Sequence, residues 1–441
     1  MTFVIDPRVF ISGPFERCAV CGQQSYGTLS ITGNRRHREC RECRASGYEE
    51  LPRLRKRVIY IDQFALSNMM KAIDATAKGH ARTAADPFWL RLFESLERLC
   101  KLQLAICPAS EAHTRESLMV DFYAAIKRMS DQLSHGIAFH EEYIRELQIH
   151  TAARAWAKGE QARYDFDAAN VVDGDLHGWH ERIIIGVSGG YPESLVESIR
   201  AERDRIGAEI ESLYNRGYVN APNIGYRAWL QRENERAPEA MLLAHEAWLN
   251  RAKEIYSGER PFDLDELMPP PAVQRLTVIA RVMGEHFGGS RQHALSKVGE
   301  FLRSSAFAEI PYIAIAHRLW AVIAMKASAG QKKAPNRGTV NDIAVVSTLL
   351  PYCDAMLLDH PCLAMIEDIP RDFALPYPTR LFSTRRADEL FDYLADIERQ
   401  ADPAVLATVE RVYGPDWATP FLTMYDVERQ REEQRNTAND L

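Results

Sequence analysis

Two sets of residues in this chain of 441 have the types and spacing of chemistry. The first is Cys18-Ala-Val-Cys21, then eighteen residues, then Cys40-Arg-Glu-Cys43, the two-knuckle spacing of a structural zinc ribbon. Each CxxC turn offers two thiolates to one tetrahedral ion, and Gly22 lets the chain double back after the first pair. Four thiolates close the coordination shell, so Zn2+ held there folds a short segment and activates no water. Two disulfides or a redox CxxC pair are the alternatives, and His37 stands near enough to replace one cysteine. The other cysteines, Cys100, Cys107, Cys353 and Cys362, sit singly in apolar segments and read as inert core thiols.

The second set is acidic: Asp62, Glu116 with His113 three residues before it, and Asp342, Asp354 and Asp359. Carboxylates gathered in one place repel unless a cation neutralises them. Oxygen ligands with few Cys or His nearby select Mg2+ or Mn2+ over zinc, and a cation so held activates water and stabilises charge on a phosphodiester. Each acid also has an ordinary use. Asp342 can close a capping box with Thr339, Asp359 can cap a helix, and Asp62 can sit in a turn.

The elements that must position these acids are legible as a parallel sheet. Val58-Ile59-Tyr60-Ile61 is a short β-branched and aromatic run of the buried kind, with Asp62 at its carboxyl end, where open α/β sheets bind ligands. Gln103 to Cys107 reads as a second strand stopped by Pro108, followed by a helix with Ser110 as N-cap. That helix carries His113 and Glu116 on one face. A helix from near Thr339 to Leu350 leads into the strand Ala355-Met356-Leu357-Leu358, preceded by Asp354 and ended by Asp359.

These blocks resemble the PIN-like nuclease superfamily. VIYIDQFALSNM is similar to the first motif and supplies Asp62; ICPASEAHTRES is similar to the Ser-x-x-His-x-x-Glu form of the second and supplies Glu116. VNDIAVVSTLLPYCDAMLLDHPCLAMI and TRLFSTRRADEL are similar to the closing part and supply Asp342 with Asp354 or Asp359, Asp359 being favoured by its place at the strand's end. The resemblance implies a Mg2+- or Mn2+-dependent ribonuclease, in a bacterial defence or toxin setting, with His113 binding substrate or orienting Glu116. Two positions depart from the pattern: Asp62-Gln63-Phe64 replaces the common Asp-Thr-Asn, and His360 stands where a second acid often follows. The implied fold class is α/β, a PIN-like (Rossmann-like) parallel sheet with a large all-α insertion and a small N-terminal zinc ribbon.

Charge is partitioned along the chain. Residues 1–60 hold eleven Lys/Arg against six Asp/Glu, an excess of +5, which leaves −12 on the other 381 residues of a chain whose net charge is −7. That total argues against coating nucleic acid by bulk charge, yet the head offers local phosphate contacts: a basic tip with Arg35, Arg36 and Arg38, and a basic linker with Arg55, Lys56 and Arg57. The expected organisation is a ribbon and linker over 1–52, a PIN-like domain in two parts (53–118 and 338–400), a helical insertion over 119–337 that could hold a protein partner or inhibitor, and a helical, polar tail over 401–441. Within the insertion, Asp173, Asp175, His177, His180 and Glu181 form a polar cluster, while Gly186 to Gly190 lack the Lys of a P-loop. No leader and no apolar run of spanning length is apparent, so a cytoplasmic enzyme acting on nucleic acid, RNA favoured over DNA, is expected. A catalytically degenerate scaffold and a structure-specific DNase are the alternatives.

Overall fold

The computed structural model describes residues 6–77, 87–117, 123–181, 211–212, 214–219, 221–288, 290–331 and 334–419. The glycine run at 186–190, the stretch 182–210 of the expected helical insertion and the tail beyond 419 lie outside the described residues.

The head is a four-stranded antiparallel sheet, β1 (Ser12–Arg17), β2 (Gln24–Thr32), β3 (Arg35–Cys40) and β4 (Ser46–Glu50), paired in chain order. Each CxxC knuckle closes the turn at the end of an outer hairpin. The β2–β3 turn is only Gly33 and Asn34, with Gly33 at φ +61°, a left-handed conformation that glycine adopts without strain. The basic residues expected at a loop tip are therefore strand residues of β3. Alternation along a strand sends Arg36 to the face opposite Arg35 and His37.

The body is built on a parallel sheet of order β10-β9-β5-β6, with β5 at Arg57–Ile61, β6 at Ala105–Ile106, β9 at Ala355–Leu357 and β10 at Arg380–Phe382. Ile59, Tyr60 and Ile61 register with Ala355, Met356 and Leu357, and these in turn with Arg380, Leu381 and Phe382. Both faces are buried, as expected for a parallel sheet with nearly continuous apolar strands. Val58, Tyr60 and Met356 face one core, while Ile59, Ile61, Ala355 and Leu357 face the other.

Helices α1 (Gln63–Ala77), α2 (Pro87–Lys101) and α4 (Tyr123–Ser134) cover the second face, with the short α3 (Glu111–Ser117) between α2 and α4 in the chain. α5 (Glu141–Ala157) is followed by a long helix, α6 (Tyr226–Ser257), then α7 (Pro271–Phe287) and α8 (Arg291–Leu302). α5, α7 and α8 bury a separate core around Ile149, Ile279 and Phe301. The chain returns to the first face of the sheet through α9 (Pro311–Ser328) and α10 (Arg337–Leu349). α11 (His360–Glu367) joins β9 to β10, α12 (Ala387–Arg399) follows, and α13 (Pro403–Tyr413) packs with Ile31, Leu51, Leu54 and Trp179 where head meets body. Among the described residues no helix is long and apolar enough to cross a membrane.

Candidate metal centre

β5 and β9 lie side by side, but the helices that follow them leave to opposite faces: α1 packs into the core of Ile59 and Ile61, whereas Cys362 and Met365 of α11 belong to the core of Val58 and Tyr60. The connections thus part at the carboxyl edge between these two strands, a topological switch point of the kind where α/β proteins bind ligands. Asp62 and Asp359 stand on either side of that cleft. The Asp62 N–H donates to the Leu357 carbonyl at 3.1 Å, its own carbonyl accepts from Ala65 and Leu66, and its Oδ1 accepts from the Gln63 N–H at 2.8 Å. Asp359 caps α11, its Oδ1 accepting from the Cys362 N–H at 2.7 Å.

Asp342 arrives from α10. That helix is capped by Asn336, whose Oδ1 accepts from the Thr339 N–H at 2.9 Å, so the Thr339–Asp342 capping box does not form. Asp342 instead lies within the first turns of the helix as a third acid. Ligand atoms of Asp342, Asp359 and Cys362 all fall within 4.8 Å of one another. Burial, and then the charges of Asp342, Asp359 and Asp62, push the Cys362 thiol well above its ordinary range. Asp342 and Asp359 therefore meet one buried thiol, with Asp62 outside that group but close enough for its charge to be felt, at a cysteine that the sequence analysis had assigned to an inert core. Glu116 is on α3, but its side chain lies outside the described residues.

His113 is also on α3 and is buried beneath the sheet edge, its ring stacked on Tyr60 at 5.1 Å. Its Nδ1 accepts from the Ser110 N–H. Nε2 has no partner of good hydrogen-bond geometry, although the Ile61 carbonyl favours its protonated form. Burial outweighs that carbonyl and holds the imidazole down at about 4, so near neutral pH it is an uncharged wall beside Asp62.

Asp354 is corrected. It precedes β9 and so stands at the amino edge of a parallel sheet, on the order of 15 Å along the strand from Asp359 at ~3.3 Å per residue. There its Oδ2 accepts from the Val58 N–H and its Oδ1 from Arg57 Nη1, both at 2.8 Å. This is a clamp between two strands. Asp354→Ala is expected to cost about 1–3 kcal/mol of stability by stranding the Val58 N–H, seen as a lower melting temperature. Any activity of the centre should stay within about twofold, whereas a drop matching that of an Asp342 variant would refute the clamp assignment.

The basic residues are redistributed in the same way. Arg36 is 0% exposed, bound to Thr28 Oγ1 at 2.7 Å and to Glu49 at 3.2 Å. Lys56 is 2% exposed, with Nζ against the Gly178 carbonyl and 2.6 Å from His180 Nε2. Side chains closed in this way cannot meet a polyanion, and both leave the substrate-binding set. Arg38 pairs with Glu16 at 2.9 Å and lies over Tyr26, and Arg57 pairs with Asp354. Arg35, over the Tyr48 ring at 4.0 Å, keeps a largely exposed guanidinium, and Arg55 is exposed. The linker enters β5 at its amino edge, however, away from the acids. Arg385, exposed just past the carboxyl end of β10, is a basic residue at the acids' edge of the sheet that the sequence analysis missed.

In the head, Cys18, Cys21, Cys40 and Cys43 gather with all four sulfurs within 4.8 Å. The Cys18–Cys43 and Cys21–Cys40 sulfurs are 3.6 Å apart, far beyond a bonded ~2.05 Å and close to the ~3.8 Å that two ligands at ~2.3 Å from a tetrahedral ion adopt. The Cys43 backbone N–H, then the Ser25 hydroxyl, bring the Cys40 thiol down to about 6. His37 turns away and stacks on Tyr48 at 4.6 Å.

The polar cluster near 173–181 locks head to body. His177 Nδ1 accepts from the Lys56 N–H, Glu181 accepts from the Ile31 N–H, and the Trp179 N–H donates to the Gly33 carbonyl. His135 stacks on His180 with ring centres 3.5 Å apart. Burial holds His135 at about 3, His317 at about 4 and His180 well below its ordinary value. An unfolded histidine titrates near 6.5, so the unfolded chain takes up protons that the native chain refuses as pH falls from about 6.5 to about 4, and stability falls with it. Burial also lowers Lys56 to about 7, against an unfolded value near 10.4. Stability therefore rises between pH 7 and 10 as the unfolded chain loses that proton. Thermal melts across pH 4–10 are expected to show both slopes, and Lys56→Met to lose the alkaline one; melts flat from 6.5 to 4 would contradict the acid part.

Compared with protein-family models, with curated proteins and with solved structures, the chain matches none.

Proposed function

We propose that the chain is a metal-dependent endonuclease of PIN-like architecture, hydrolysing phosphodiester bonds in RNA in preference to DNA, with a zinc ion held by the four cysteines of its head. The observation that carries the reading is the approach of Asp342 and Asp359 to within 4.8 Å beside the switch point between β5 and β9, with Asp62 near enough for its charge to be felt at the same thiol. Like charges collected in a half-buried cleft repel one another, a bound cation relieves that repulsion, and this donor set fits one. Bound there, Mg2+ or Mn2+ would supply a water of lowered pKa and stabilise charge on the phosphoryl oxygens. Asp342 and Asp359 would hold it, Asp62 would add the third charge, and Arg385 at the same edge would meet a neighbouring phosphate. The preference for RNA and a defence or toxin setting rest on the motif resemblance.

The scaffold reading draws on a different observation: one oxygen each of Asp62 and Asp359 accepts a backbone N–H, as a helix cap does. Incubating the full chain with RNA and DNA of several shapes, in Mg2+ or Mn2+ and with or without EDTA, separates these readings. EDTA-sensitive cleavage of RNA is expected. Cleavage of DNA alone would make the protein a structure-specific DNase. No cleavage, together with no Mn2+ heat in calorimetry, would leave a binding scaffold.

A further inference from the structure

Cys362 is 3% exposed, and its thiol has no hydrogen-bond partner among the described residues. It stands one turn into α11, on the helix whose cap is Asp359, so the capping bond from the Cys362 N–H fixes carboxylate and thiol as one unit. The ligand atoms of Cys362, Asp342 and Asp359 lie within 4.8 Å of one another, yet no bond from the Cys362 sulfur to either carboxylate is formed. Two ligands of one tetrahedral ion, at ~2.3 Å for sulfur and ~2.1 Å for oxygen, stand about 3.6 Å apart, which the 4.8 Å limit on these atoms accommodates. An apolar residue would have served the core on which α11 packs. A sulfur there, aimed at two carboxylates, is a soft donor added to a hard set.

We propose that Cys362 is a ligand of the cation bound by Asp342 and Asp359, and that the centre consequently takes a thiophilic divalent ion, Zn2+, Co2+ or Cd2+, more tightly than Mg2+. The inference rests on the reading of this cleft as a metal centre and deepens it. Thiolates select soft and borderline ions, whereas an all-oxygen set suits Mg2+. Binding releases the thiol proton to solvent and leaves the sulfur as thiolate on the ion, with no change in its oxidation state. The charge of the nearby carboxylates is neutralised in the same event.

The probe is 113Cd2+ added to the full-length protein and followed by NMR, because the cadmium shift reports how many sulfurs bind. Two resonances are expected, one from the four-cysteine head and a second upfield of it from a site of one sulfur and several oxygens. Cys362→Ser, nearly isosteric, is expected to move the second resonance into the all-oxygen range and to weaken Cd2+ there by at least about tenfold, the loss that even a residue merely supporting a ligand causes. Mg2+ affinity should be nearly unchanged. Cys362→Ala provides the same test if serine disturbs packing, and the head resonance reports in both whether the chain has folded. A second resonance that starts in the all-oxygen range and does not move would overturn the thiolate ligand and leave the carboxylate centre standing. A head resonance alone would overturn both.

Discussion

Asp342→Asn is expected to fold as well as the parent chain and to cleave at least about a thousandfold more slowly, about 4 kcal/mol of lost transition-state stabilisation. The two parts of that expectation have separate grounds. Asn336 already caps α10, so Asp342 contributes nothing to starting its helix. An amide of nearly the same shape also relieves repulsion among Asp342, Asp359 and Asp62. The metal-free variant should therefore melt at or slightly above the parent temperature. Its loss would fall on the bound cation, for which a neutral amide is a far poorer ligand than a carboxylate. Cleavage in Mn2+ beside a thermal melt in EDTA checks both parts. Residual activity within tenfold of the parent, or a lower melting temperature with activity lost in proportion to unfolding, would remove Asp342 from the centre.

The other large effect is expected from Cys40→Ser. Cys40 ends β3, is 0% exposed, and has, like Cys18, a lowered thiol. A hydroxyl there is a poor zinc ligand, and structural zinc contributes about 10–16 kcal/mol to folding in zinc-finger peptides. The head has few other means of holding its hairpins: its sheet is short, and its apolar residues Ile31, Leu51 and Leu54 are shared with Trp179 and α13. Loss of the ion should open residues 12–50 to protease, quench the tryptophan environment at Trp179, and leave the parallel sheet of the body intact. Metal analysis of the parent is expected to show one zinc at the head, and of the variant none. Full zinc content in Cys40→Ser, or an unchanged protease pattern, would show that the four sulfurs gather for another reason.

What was legible before the structure follows from how local each signal is. The strand Val58–Ile61 with Asp62 behind it, the strand Ala355–Leu358 with Asp359 behind it, and the four cysteines are each written into a few consecutive residues, and the folded chain places them as sheet, sheet edge and thiol cluster. Arg36 and Lys56 were unreadable because a basic run looks solvated until its partners are known. Those partners, Thr28 and Glu49 for one and Gly178 and His180 for the other, come from other strands or from more than a hundred residues away. Cys362 is the core thiol its apolar surroundings suggested, but only the return of α10 beside α11 sets Asp342 against it, which no local pattern carries. Asp354 was half readable. A residue that precedes a strand in a parallel sheet must lie at the opposite edge from one that follows it, and that rule alone separates it from Asp359.

The order of strands also sets a schedule. β5 and β9 are neighbours in the sheet, yet everything between Ile61 and Ala355 must be synthesised before they can pair. At 5–20 residues per second this interval lasts roughly 15–60 s. Throughout it Asp62 is present on the nascent chain while Asp342 and Asp359 are absent or still inside the ribosome. The head and α1 can form early, but the acidic cleft comes into being only once Asp359 has been synthesised. A chain interrupted before Asp342 carries only one of these three carboxylates, and one interrupted before Asp359 lacks the pair that would hold a cation.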